Sequence, residues 1–141
     1  MTDTQKQDES NNIEDKKEKE LELYYDKHLT YLTTLDKTRD KYSIGFFTNE
    51  HLKVSALFWG VGALNLINHI EKHDTEKTVK YLSECFNPDG GYAGAIGQDS
   101  HITSTHYAML VLIQLNRTDV FLEHKEQIAN YIKSLQNKDG S

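Results

Sequence analysis

The chain has 141 residues, 16 basic against 22 acidic side chains for a formal charge of −6, and a single cysteine. That length suits one ordinary domain or a piece of a larger one. The mixed, acidic charge argues against a nucleic-acid surface, and the lone thiol excludes an internal disulfide. No segment has the form of a signal peptide, and the longest apolar run, Val54 to Ile67 broken by Asn65, is too short to span a membrane. A soluble, cytoplasmic protein is therefore expected.

Residues 1–18 carry almost no apolar side chain beyond Met1 and Ile13, so they read as a disordered polar tail. A first helix is predicted from about Lys19 to Leu35, with Leu21, Tyr24, Tyr25, His28, Leu29, Leu32 and Leu35 on its apolar face. His28 there reads as a side chain packed among tyrosines rather than a ligand. Residues 36–47 read as a connection. The next helix, about Asn49 to Glu71, is apolar nearly all round, a pattern that predicts burial against neighbours on several sides. Gly60 and Gly62 within it suggest a close helix contact.

Asp74 is a fitting N-cap for a third helix with Glu76 in its first turn. That helix stops at Asn87-Pro88-Asp89-Gly90-Gly91, where Pro cannot continue it and the glycines supply turn conformations. Half of the eight glycines fall between Gly90 and Gly97, which marks a tight, shaped loop between two buried helices. A fourth helix is expected from Ser100–Thr103 to about Asn116 and a fifth from about Val120 to Gln136. Few strand signals occur, and the class is all-α.

An internal repeat runs through this pattern. Tyr31-Leu32, Tyr81-Leu82 and Tyr131-Ile132 open three similar stretches spaced evenly along the chain, and Leu35, Cys85 and Leu135 match within them. The later two also share an ending, Asn87-Pro88-Asp89-Gly90 against Asn137-Lys138-Asp139-Gly140. The unit is two helices per roughly 50 residues, of the kind that stack by burying faces no single unit buries alone. The sequence stops at Ser141 inside a repeat loop, which suggests a truncated arc of stacked repeats.

The apolar helix ending in Cys85, followed by Asn87, Asp89-Gly90-Gly91-Tyr92, Gly94, then His101 and another helix, resembles the β subunits of protein prenyltransferases. The closing Tyr131–Ser141 stretch resembles their next repeat. Within that family, Tyr25-Asp26-Lys27-His28 with Tyr31-Leu32, and His51-Leu52-Lys53-Val54-Ser55-Ala56-Leu57-Phe58-Trp59-Gly60, are similar to the Rab (type II) geranylgeranyltransferase β subunit. The short connection from Gly91 to His101 fits the same type. The resemblance covers residues 21–141.

What the resemblance implies is an incomplete (α/α)6 toroid over residues 19–141, the N-terminal part of such a subunit. It further implies an apolar funnel for geranylgeranyl diphosphate, a Zn2+ ion that activates the C-terminal cysteine of a Rab GTPase, an α-subunit partner in a heterodimer, and a Rab escort protein. The family's zinc ligands and diphosphate-binding side chains lie beyond the second repeat, and none has a counterpart before Ser141. No catalytic or metal residue is therefore assigned to this chain, and the chain alone is expected to be inactive and unstable.

The positions that do carry over belong to the isoprenoid pocket. Ser55 matches a position where a small residue leaves room for the longer lipid and farnesyltransferases have a bulky Trp. Trp59 follows one turn later on the same face, and His106 matches the second length-setting position, where the Rab type usually has Leu. Each also has a plainer reading: Ser55 and Trp59 as simple core, His106 as a satisfied core histidine. Cys85, whose repeat partners are leucines, reads as buried packing rather than a nucleophile. His101 either binds diphosphate or caps the fourth helix. The Asp89-Gly90-Gly91 turn lacks the Lys and spacing of a phosphate loop and reads as structural. Three further readings stand beside the Rab-type one: a non-catalytic helical scaffold that binds an α subunit or a hydrophobic peptide, a β subunit of another prenyltransferase class, and a terpene-cyclase-type toroid, which would want an acidic protonation motif that the sequence lacks outside its tail.

Overall fold

The computed structural model describes residues 23–38 and 43–140. The expected tail, the first residues of the expected first helix, and the side chains of Leu35, Phe46 and Phe47 lie outside the described residues. The described chain is helical: α1 (Tyr25–Thr38), α2 (Ile44–Thr48), α3 (Lys53–Leu66), α4 (Thr75–Glu84), α5 (Ile102–Gln114), α6 (Thr118–Leu122) and α7 (Lys125–Ser134). Short 3-10 turns, Glu50–Leu52 and Ile70–Lys72, precede and follow α3. Two isolated antiparallel bridges, Phe86 with Tyr92 and Ala93 with Ser100, are the extended pairings among the described residues.

α3 and α5 lie side by side and share the core. Val54, Val61, Leu82, Cys85, Ala108, Val111 and Leu112 are buried to within 1% of full exclusion. Burying each of the larger side chains stabilises the fold by about 1.5–3 kcal/mol. Both helices end the same way. Asn68 (φ 56°) follows α3 and Asn116 (φ 55°) follows α5, each in the left-handed conformation that Asn tolerates. The next amide reaches back over the helix end, His69 to the Leu64 carbonyl and Arg117 to the Leu112 carbonyl, both at 2.8 Å. These paired bonds satisfy carbonyls that the helix leaves open. This ends α3 at Leu66, earlier than the expected Glu71, so Ile70 lies on the turn that follows.

α4 starts as expected, with the Asp74 carboxylate accepting from the Lys77 amide at 3.0 Å. Arg117 ties this end of α4 to the start of α6, donating to Glu76 at 2.7 Å and to Asp119 at 3.2 Å. The expected fifth helix is broken at Glu123–His124 into α6 and α7. The break lets Val120 and Phe121 pack on the core while the His124 ring stacks on Phe86, centroids 4.5 Å apart. Ile128 and Tyr131 of α7 are then buried at 3% and 6% exposure.

The glycine-rich loop holds three elements together. Gly90 (φ 92°) lies against the Gln127 carbonyl of α7, and a Cβ there would collide with it. Gly94 lies equally close to the His51 carbonyl, and its own carbonyl accepts from the Val54 amide at 3.2 Å. The Asp89 carboxylate accepts from the Gly91 amide at 3.0 Å and from the Ser100 hydroxyl at 2.7 Å. The Asn87 amide donates to the Gln98 carbonyl and to Ser100 Oγ, both at 3.0 Å. The loop is structural, as expected. The turn at Asn137–Gly140 repeats its shape: Gly140 (φ 90°) donates to the Asn137 carbonyl at 2.9 Å, as Gly90 does to Asn87 at 3.0 Å.

Two burial expectations need correction. α1 does not bury the predicted face: Tyr24, Tyr25 and Tyr31 are more than half exposed and His28 is exposed. α3, apolar nearly all round, is not covered on every side: Trp59 is 64% and Leu66 85% exposed. Its apolar circumference exceeds what its neighbours among the described residues cover.

Candidate functional site

Ser55 and Trp59 lie one turn apart on α3, the former half-buried and the latter exposed. His106 lies on α5 and is exposed, so it is not the satisfied core histidine that its apolar neighbours suggested. An aromatic row joins two of the three: Trp59 meets Phe58 edge to face (4.9 Å), Phe58 stacks on Tyr107 (5.0 Å), and Tyr107 leans on His106 (5.8 Å). Such ring pairs contribute about 0.5–1.5 kcal/mol each beyond area burial. The row crosses the α3–α5 interface with Trp59 at one end and His106 at the other.

Phe58 and Tyr107, the middle of that row, are not among the residues the sequence singles out. A signal was present, because aligning α5 on α3 at their terminal asparagines pairs Tyr107 with Trp59. His106 also lines a groove of about 440 Å³ with Ile102, Met109 and Ile132 of α5 and α7. Neither Ser55 nor Trp59 lines it.

His101 caps α5: its Nδ1 accepts from the Thr103 amide at 3.2 Å. Thr105 secures the same helix end, accepting from the buried Tyr92 amide at 2.9 Å and donating to the His101 carbonyl at 3.0 Å. Cys85 is fully buried. Burial pushes its thiol up, with the Tyr81 hydroxyl pulling weakly the other way, so thiolate is disfavoured and the packing role holds.

A second cleft, about 670 Å³, opens where α3 and α5 end, lined in part by Asn65, His73 and Gln114. His73 is half-buried there, its Nε2 2.8 Å from Thr78 Oγ1, and burial holds its pKa below the ordinary imidazole range. Among the described residues no three His, Cys, Asp or Glu side chains come together as metal ligands. The described residues thus offer no ligand set that fits the Zn2+ the resemblance implies. None of the described helices is long and apolar enough to cross a membrane.

A sequence model of the prenyltransferase alpha-alpha toroid domain matches residues 23–141. A probable geranylgeranyl transferase type-2 subunit beta of Caenorhabditis elegans is 38% identical over 95 residues, 67% of this chain and 28% of that protein. The geranylgeranyl transferase type-2 subunit beta of Schizosaccharomyces pombe is 39% identical over 98 residues, 70% of this chain and 31% of that protein. A protein farnesyltransferase subunit beta of the same yeast is 28% identical over 116 residues, 82% of this chain and 30% of that protein. The matched part of the chain thus spans under a third of the length of each of these relatives.

Proposed function

The chain belongs to the prenyltransferase alpha-alpha toroid family, and from that premise we propose that it forms the N-terminal part of a type II protein geranylgeranyltransferase β subunit. The proposed reaction moves a geranylgeranyl group from its diphosphate to the C-terminal cysteines of Rab GTPases. The proposed partners are a helical α subunit and a Rab escort protein, in the cytoplasm. The part given to this chain is one wall of the lipid pocket. Thiol alkylation at an allylic carbon needs a dry, apolar surface that holds the isoprenoid extended and keeps water from the reacting end.

The observation that carries this reading is the aromatic row from Trp59 through Phe58 and Tyr107 to His106. It offers ring faces to a chain of methyl-substituted double bonds, with the small Ser55 one turn from Trp59. Geranylgeranyl exceeds farnesyl by five carbons, which at about 0.8 kcal/mol per buried carbon favours the longer lipid by at most about 4 kcal/mol. A His at position 106, where the Rab type usually has Leu, lowers that advantage by adding polarity. By itself the chain is proposed to transfer no prenyl group, since the zinc and diphosphate side chains of the family have no counterpart in it.

The likeness to a farnesyltransferase β subunit over 82% of the chain supports a second reading, a β subunit of another prenyltransferase class. Titrating the chain with geranylgeranyl diphosphate and farnesyl diphosphate separates them, with the emission of Trp59, its sole tryptophan, as the readout. The type II reading expects a saturable blue shift that is tighter for the longer lipid and weakened by Phe58→Ala. Tighter binding of farnesyl diphosphate favours the second reading. No response to either lipid removes the pocket from this chain.

A further inference from the structure

We draw no further inference here: the strongest candidate, the polar cleft of about 670 Å³ where α3 and α5 end, selects no ligand, because its one carboxylate, Glu71, is exposed and already bonded to His69, and the helix-end carbonyls of Leu64 and Leu112 already accept from the His69 and Arg117 amides.

Discussion

Replacing Gly90 by Ala tests whether the loop truly clamps α7. Gly90 has φ 92°, and an added Cβ would stand 2.6 Å from the Gln127 carbonyl carbon and 3.2 Å from the Gln127 Cβ. Two costs follow. An L-residue at positive φ costs about 1–2 kcal/mol, and forcing a backbone in a packed region to move adds about 1–3 kcal/mol. Gly97 separates the two, because it also has positive φ (79°) but open space around its Cβ position. Gly97→Ala should therefore lose only the conformational part, and Gly90→Ala about twice that or more. Measured by thermal unfolding, each kcal/mol lowers Tm by about 3–4 °C in a domain of this size. Hydrogen exchange should also quicken along α7 in Gly90→Ala and stay unchanged there in Gly97→Ala. Equal losses in the two variants, or no change in α7 exchange, would refute the clamp.

Asp89→Ala removes an acceptor shared by the Gly91 amide and the Ser100 hydroxyl, and urea unfolding should show a loss of about 1–3 kcal/mol; a neutral result sinks the loop's hydrogen-bond account. Cys85, with its thiol buried and its pKa raised, should react with a disulfide reagent at pH 8 only after denaturant is added, and prompt reaction of the native chain contradicts its placement. His73 has a folded pKa lowered from 6.5, chiefly by burial, so the unfolded chain binds the proton more readily. The stability from neutral His73 is full above the unfolded value of about 6.5 and is lost as pH falls through the folded value, levelling off below it. His73→Gln should flatten that part of the pH dependence of unfolding; an unchanged slope would show that another group causes it.

Local chemistry made much of this fold legible in advance. Asp74 at a helix start, the Asn-Pro-Asp-Gly-Gly stop and the apolar spacing of α4 and α5 each act within a few residues, and the structure places them where that chemistry does. The helix end at Asn68 was legible in principle, since Asn tolerates positive φ, but no Pro or Gly marked it. The break at Glu123–His124 was not, because no Pro or Gly marks it and the Phe86 ring on which His124 stacks is distant in sequence. Which side of an all-round apolar helix is covered depends on its neighbours, so the exposure of Trp59 and Leu66 is a property of the assembly and absent from the α3 pattern. For the candidate site, Ser55, Trp59 and His106 came from the family pattern. The row that links Trp59 to His106 emerges only when two repeats are laid on each other.

The turn at Asn137–Gly140 has a consequence for rates. It holds the shape of the Asn87–Gly90 turn, with Gly140 at φ 90°, although nothing lies within 4 Å of the Cβ position there. The earlier turn is clamped by α7, yet the later one reaches the same conformation on local contacts, including the Gln136 side-chain amide bonded to the Gly140 carbonyl at 3.1 Å. The turn therefore needs no neighbouring helix to take its shape. Within one chain the same device keeps the folding of each repeat a short-range event, quick to begin from any unit.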